Sequence, residues 1–388
     1  MFKLSQKLQS LPPYLFLEID KAKRKARSEG RDIIDLGVGD PDQPTPNYII
    51  EALHQAAQDP SNHRYALDQG MPALRRAIQG WYKRRFNVNL DPETEILPLI
   101  GSKEGIAHLP LAFLNQGDYS LAPDPCYPPY KGGTALAGGK LYLMPLLESN
   151  AFLPDLKKIP IGIRRKAKLI YINYPNNPTA ATAEKDFYKD IVEFALKNKI
   201  IVISDLAYSE IAYDGYRPCS FLEARGAKEV GIEFHSLSKT YNMTGWRIGW
   251  ACGNAKLVSG LAKVKSNIDS GIFLAIQLAG IAALEGPQGH IQQMRTLYQE
   301  RRDTLIKGLN ALGWQTEPPK ATFYVWIKVA ERMGSIKFAQ RLLEKADIIV
   351  TPGVGFGKYG EGYIRMALTV SKERLSEAVD RLKKAVRW

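Results

Sequence analysis

The chain has 388 residues, with 53 Lys and Arg against 40 Asp and Glu, a formal net charge of +13, 45% hydrophobic and 24% charged residues. That balance excludes a disordered polypeptide, and the length predicts two or three domains or one large α/β unit with an appendage. The positive excess admits an anionic partner, whether nucleic acid, a membrane surface or small anions, and the choice among them falls to individual residues.

In chain order, the apolar stretch 14–19 is too short for a secretory leader and already carries Glu18. The basic run Lys21-Ala-Lys-Arg-Lys-Ala-Arg27 reads as a solvated helix face. Amphipathic spacing predicts helices over 49–57, 73–82 and 187–198. Short apolar runs between them predict buried strands over 96–100, 169–173, 200–204 and 248–252. Strand 169–173, helix 187–198 and strand 200–204 form a βαβ unit by pattern. The apolar run 273–284 is broken by Gln277 and Gly280 and is too short to span a membrane. A long helix is predicted over 287–313, with Leu305, Ile306, Leu309 and Leu312 on one face and Gly313 as its stop. Beyond it, strands 321–329 and 363–368 mix with helices 335–345 and 372–387. The predicted fold class is therefore α/β: a large domain over 46–285 with a mainly parallel sheet, plus a small α+β domain made of 1–45 and 286–388.

The three cysteines, Cys126, Cys219 and Cys252, show no C-x-x-C spacing, so neither a disulfide framework nor a zinc site is expected, and a reducing, cytoplasmic setting fits. The five histidines also lack metal-ligand spacing, so no metal is predicted. Gly355-Phe-Gly-Lys-Tyr-Gly360 matches a dinucleotide fingerprint literally, but a strand and not a helix follows it, so that reading fails.

Other segments carry chemistry. In Ser236-Leu-Ser-Lys-Thr-Tyr-Asn-Met-Thr-Gly-Trp-Arg247, Lys239 follows an apolar stretch and has Arg247 eight residues on. A lysine beside other cations has a lowered pKa and suits Schiff-base chemistry, while Ser236, Ser238 and Arg247 suit an anion such as a phosphate. Asp205 ends a buried strand, where open α/β sheets bind ligands. A carboxylate there needs a cation, and the pyridinium nitrogen of pyridoxal phosphate is one. Tyr208 lies within reach of the same cofactor's phenolic oxygen. Asn177 sits in the rigid turn Tyr174-Pro-Asn-Asn-Pro-Thr179 directly after a strand. Gly101-Ser-Lys-Glu-Gly105 opens a helix after a strand and presents N–H groups suited to a phosphate. Tyr127 offers a ring face, and alternation along 363–368 separates Arg365 from Ile364, Met366 and Leu368, so that it suits a substrate carboxylate. Each feature alone also has a plain structural explanation: a turn, a helix cap or a surface cation.

Taken together, Asn177, Asp205, Tyr208, Lys239, Arg247 and Arg365 occur in the order and spacing of the fold-type I aminotransferases that use pyridoxal phosphate. Leu36-Gly-Val-Gly-Asp-Pro-Asp42, Gly101-Ser-Lys-Glu-Gly-Ile-Ala-His108, Tyr241-Asn-Met-Thr-Gly-Trp246 and Lys265-Ser-Asn-Ile-Asp-Ser-Gly271 resemble the LL-diaminopimelate aminotransferase family. That family moves an amino group from glutamate to tetrahydrodipicolinate in lysine biosynthesis. The resemblance implies Lys239 as Schiff-base lysine and proton shuttle, Asp205 on the ring nitrogen, and Asn177 and Tyr208 on the phenolic oxygen. It implies Ser102, Lys103, Ser236, Ser238 and Arg247 around the phosphate, with Tyr127 stacked on the ring. Arg365 would clamp the α-carboxylate, with Tyr14, Gly39, Lys103, Tyr127 and Asn177 as further substrate contacts. Tyr65 matches a residue that reaches the partner subunit's phosphate, which implies a homodimer. The implied partners are small amino and oxo acids, with no nucleic acid and no membrane.

Two departures are visible: Ala180 where the family's turn usually has Gly, and slightly different wording around Asp205 in Ser204-Asp-Leu-Ala-Tyr208. The cofactor residues leave open an aminotransferase of the same fold acting on aspartate, alanine or aromatic amino acids. A basic nucleic-acid-binding regulator with an aminotransferase-like domain would need a binding module for which no residues are left over.

Overall fold

The computed structural model describes residues 2–9, 11, 15–66, 69–329 and 333–385. After the short strand β1 (Ile34–Asp35), the chain lays down β2 (Ile96–Leu99), β3 (Tyr119–Asp124), β4 (Lys140–Pro145), β5 (Ala167–Ile172), β6 (Ile201–Asp205), β7 (Gly231–Ser236) and β8 (Gly249–Gly253). These last seven form one sheet in the order β2-β8-β7-β6-β5-β3-β4. Strands β5, β6 and β7 are almost wholly buried, as strands of a doubly covered parallel sheet must be, although one face of β7 carries the polar Glu233 and His235. One face packs Leu169, Tyr171, Ile203 and Phe234 against Ile106 and Leu109 of the helix Ser102–Phe113 and Leu261 of the helix Ala255–Lys265. The other packs Ile170, Val202 and Trp250 against Ile78 and Trp81 of the helix Pro72–Phe86 and Ile191 of the helix Lys185–Asn198.

The sheet is mainly parallel, as expected, but β8 runs antiparallel to both of its neighbours. Only residues 237–248 join β7 to β8, and they include no crossover helix, so the chain returns in the opposite direction. The result brings the end of β7 and the start of β8 together at the carboxyl end of the parallel strands.

Among the strands that the sequence does not predict are β3 and β4 of the large sheet. In β3, Pro123 interrupts the apolar pattern, yet its missing N–H is tolerated because pairing with β5 ends at Leu121↔Ile170 and only β4 flanks it beyond. In β4, Lys140 and the half-buried Leu141–Leu143 stretch give neither alternation nor a fully apolar run.

The C-terminal part contributes β9 (Tyr324–Lys328), β10 (Ile348–Ile349), β11 (Thr351–Pro352) and β12 (Tyr363–Ala367), with β11-β12-β9 as a small antiparallel sheet and β10 pairing β1. The strand predicted over 321–329 starts only at Tyr324, because Thr322 has φ of 68°, a conformation that ends an extended run. The helices Gly289–Ala311, Ser335–Ala346 and Lys372–Ala385 cover this sheet through Leu305, Leu309, Phe338, Leu342, Leu375 and Leu382. Gly313, at φ of 91°, follows the long helix as its stop. The basic run at 21–27 lies in a helix, Leu15–Ser28. The Gly355–Gly360 run forms two 3-10 turns leading into β12, not the start of a helix. Among the described residues no helix is long and apolar enough to cross a membrane.

Candidate active site

The carboxyl ends of β5, β6 and β7 open into a cavity of about 240 Å³ whose far wall is β9, β12 and the segment around Gly39. Asp205, the last residue of β6, is buried there. Its Oδ2 accepts the Tyr130 hydroxyl at 2.7 Å, and its Oδ1 has no hydrogen-bond partner among the described residues. Burial pushes the carboxyl up to about 6, with the Tyr130 hydroxyl and the Ala207 amide opposing. A buried carboxylate oxygen with no partner is a place built for a donor.

One strand over, Asn173 follows β5 and ties the two strand ends together. Its Nδ2 donates to the Asp205 carbonyl at 2.7 Å, and its Oδ1 accepts the Asn177 N–H at 2.8 Å. Within the turn, Asn176 Oδ1 accepts both the N–H and the hydroxyl of Thr179. Ala180 closes it at φ of 58°, the left-handed conformation its Cβ disfavours. The turn holds the Asn177 amide in the cavity, where its Oδ1 accepts Arg365 Nη1 at 2.7 Å.

Lys239 stands on the single helical turn Leu237–Thr240 that follows β7. Ser236 caps this turn, its Oγ accepting the Ser238 N–H at 3.1 Å. The Lys239 ammonium donates to the Gly39 carbonyl at 2.9 Å and lies 5.6 Å from the Phe323 ring centre. Burial lowers its pKa to about 8, helped by Arg365 and Arg247 and opposed by Asp40. An amine at that value is partly deprotonated near neutrality and so is nucleophilic.

Arg247 sits before β8 at φ of 56°, and its Nη1 donates to the Thr244 carbonyl at 2.8 Å. Gly101, at the mouth of the helix Ser102–Phe113, has φ of 77°, and a Cβ there would collide with the Arg247 guanidinium. Glycine at 101 is thus required twice, by backbone and by the arginine beside it. Ser102, Lys103, Ser236, Ser238, Thr244 and Arg247 line this end of the cavity, which joins two cations to a helix N-terminus, a ready anion site.

At the other end, Arg365 is buried in β12, the middle strand of its sheet, and so is not a solvent-facing edge arginine. Its guanidinium is held between the rings of Tyr324 and Phe356, at 4.1 and 4.8 Å from their centres, and its Nη2 donates to the Gly37 carbonyl at 2.7 Å. Its Nε has no partner among the described residues. The Tyr208 and Tyr324 hydroxyls lie 3.0 Å apart, and burial raises the Tyr208 phenol well above its ordinary value. Tyr324 also explains Gly39: a Cβ there would overlap the Tyr324 hydroxyl.

The fold thus brings together Gly39, Ser102, Lys103, Tyr127, Asn177, Asp205, Tyr208, Ser236, Ser238, Lys239, Arg247 and Arg365 around one cavity. Tyr65 lies away from it, 91% exposed. Tyr14 falls outside the described residues. Asn173, Tyr324 and Phe356 escaped the sequence reading. Asn173 is legible in hindsight as the polar residue ending a buried strand; Phe356 is masked by the misleading glycine run around it.

A family model, aminotransferase class I and II, matches residues 31–382. A curated LL-diaminopimelate aminotransferase from Moorella thermoacetica is 56% identical over 98% of both chains. One from Syntrophobacter fumaroxidans is 57% identical over 99% of both. Among solved structures, substrate-bound BacF from Bacillus subtilis has a TM-score of 0.96 at 40% identity, covering 99% of this chain and 98% of that one. A Thermus thermophilus aspartate aminotransferase mutant reaches 0.93 at 29% identity over 100% of both. The chain belongs to the class I and II aminotransferases, beside the members named LL-diaminopimelate aminotransferase.

Proposed function

We propose that this protein interconverts tetrahydrodipicolinate and glutamate with LL-2,6-diaminopimelate and 2-oxoglutarate, a step of lysine biosynthesis, with pyridoxal phosphate as cofactor. The observation that carries the cofactor is the unpartnered, buried Asp205 Oδ1 in one cavity with the Lys239 amine. An acceptor at one end, an amine at the side and an anion cradle at the other fit a phosphorylated pyridine aldehyde. When bound, the cofactor supplies an electron sink that lets an amino group leave one carbon skeleton and join another.

The chain's own residues do the rest. Lys239 would hold the cofactor covalently and, when free of it, would hold or move a proton at the substrate α-carbon; its lowered pKa matches both tasks. Asp205 Oδ1 accepts the ring N–H. Asn177 and Tyr208 bind the phenolic oxygen, and Tyr127 covers the ring face. Ser102, Lys103, Ser236, Ser238 and Arg247 hold the phosphate. Arg365 takes the α-carboxylate in a bidentate pair, its plane fixed by Tyr324 and Phe356. Gly39, Lys103, Tyr127 and Asn177 bound the rest of the substrate space, with Tyr14 expected to join them. Tyr65 of a second copy would complete the phosphate site, making the working unit a homodimer.

The division into a large unit, 46–285, and a small unit, 1–45 with 286–388, is supported by the separate apolar clusters. Tyr208, Ile211 and Tyr213 cross that line and pack into the small unit's core, so the boundary is stitched beside the site. A cytoplasmic location accords with free cysteines that do not pair.

Substrate choice is tested by a coupled assay of LL-diaminopimelate with 2-oxoglutarate, measured beside aspartate, alanine and aromatic amino acids. Preferred turnover of LL-diaminopimelate is expected. Turnover confined to the other donors would instead assign an aminotransferase of the same fold with a different substrate.

A further inference from the structure

We propose that Tyr130 is a positioning residue that fixes the Asp205 carboxylate with one oxygen turned into the cavity. This rests on the reading of Asp205 as the acceptor for a cofactor ring N–H.

Tyr130 does not line the cavity and lies behind Asp205, in the first turn of the helix Pro129–Leu136. It is fully buried. Its hydroxyl donates to Asp205 Oδ2 at 2.7 Å, the one side-chain hydrogen bond that reaches this carboxylate among the described residues. Its ring stacks on Tyr171 of β5, with centres 4.8 Å apart and planes 11° from parallel. Its carbonyl accepts the Thr134 hydroxyl at 2.9 Å. Ring and backbone are therefore held from two sides, and the hydroxyl has one direction in which to point.

The consequence follows from counting acceptors. A carboxylate with both oxygens free could rotate, and a buried one would take up a proton to relieve its charge. With Oδ2 bonded, rotation about the Cβ–Cγ bond is stopped and Oδ1 is left as the free acceptor. The hydroxyl also stabilises the charged form, opposing burial. The other ionisable groups nearby are the Tyr208 phenol on the β6 side, and the Cys126 thiol and Tyr127 phenol beside Tyr130. Burial raises the pKa of both the Cys126 thiol and the Tyr208 phenol, and neither bonds the Asp205 carboxylate, whose side-chain donor is Tyr130. A hydrogen bond to a charged group is worth about 1.5–3 kcal/mol, or about one to two pH units of Asp205 titration.

The test is Tyr130→Phe, which keeps the stacked ring. In the full chain stripped of cofactor and labelled with carbon-13 at aspartate, with the Asp205 signal assigned by Asp205→Asn, the Asp205 midpoint is expected to rise by about one unit or more. In the loaded enzyme kcat falls about tenfold with KM for the amino donor nearly unchanged. Tyr171→Phe, which removes a hydroxyl that does not bond the Asp205 carboxylate, leaves the Asp205 midpoint where it is. An unmoved midpoint in Tyr130→Phe, or an equal shift in Tyr171→Phe, overturns the proposal. Should Tyr130→Phe fold poorly, the bond is read from its other end: the Tyr130 ring carbon bearing oxygen shifts in Asp205→Ala, which removes the acceptor, and no shift overturns it. The titration needs no cofactor, so a wild-type chain that binds no pyridoxal phosphate would defeat the functional reading and leave the coupling standing.

Discussion

Burial shifts the pKa values of Asp205 and Lys239 in opposite directions, and each shift has a measurable consequence. Burial raises the folded-state pKa of Asp205 to about 6, above its unfolded value near 4. The folded chain without cofactor therefore holds this proton more tightly than the unfolded chain does, and its stability falls as pH rises from about 4 to about 6. Asp205→Asn keeps an oxygen for the Tyr130 hydroxyl and removes the charge. The variant stripped of cofactor is thus expected to be about 3 kcal/mol more stable than wild type above pH 6, with no difference below pH 4. Urea unfolding of both proteins across that range checks it, and transamination by the variant should fall steeply. Lys239 shows the opposite shift, down to about 8. The rate at which the stripped protein takes up pyridoxal phosphate should climb about tenfold per pH unit below 8 and level off above. Stopped-flow absorbance reads this directly, and a rate flat from pH 6 to 9 would place the amine's pKa elsewhere.

At the scale of elements, the site is made by strand ends and the turns that leave them. The turn after β5 departs from the family pattern at Ala180, which adopts the left-handed conformation that glycine would occupy at lower cost. Ala180→Gly is expected to stabilise the protein by about 0.5–1 kcal/mol, the strain relieved being partly offset by the greater freedom of glycine in the unfolded chain. Turnover should be unchanged, because the bonds that place Asn177 come from Asn173 and not from residue 180. A melting curve with an activity assay decides both points.

The same scale shows how far the sequence could be read. Asp205, Lys239 and Asn177 were legible because each follows a short apolar run, and a polar group at the end of a buried strand stands out. Arg365 was legible from alternation in β12. Tyr130 was not, because it sits in the middle of a buried aromatic stack with no pattern to mark its hydroxyl. Tyr324 was hidden likewise: its role depends on Gly39 and Arg365, which lie 285 and 41 residues away in sequence and meet it only through the fold. The antiparallel β8 was invisible too, since apolar runs carry no direction.

For the whole molecule, the net charge of +13 reduces to a few useful cations. Lys103, Arg247 and Arg365 line the cavity, where they suit anions; others belong to ion pairs such as Arg374 and Arg381 around Asp32. A large residue left in water is more telling than that excess. Tyr65 is 91% exposed, near a surface where Phe273 lies 6.2 Å from the His63 ring. If its hydroxyl serves the phosphate of a second copy, each site draws Lys239 from one chain and Tyr65 from the other. Tyr65→Ala alone then leaves folding stability nearly unchanged and weakens cofactor retention about tenfold, the value of one charge-assisted hydrogen bond. Lys239→Ala alone is inactive. Mixing the two variants and allowing subunit exchange produces heterodimers in which one site has a native Lys239 and a native Tyr65. At a cofactor level where the Tyr65→Ala protein is mostly unloaded, activity should recover to about a quarter of wild type, since half the dimers are mixed and half their sites are native. Exchange without recovery, or a wild-type protein that sediments as a monomer, would place Tyr65 outside the site.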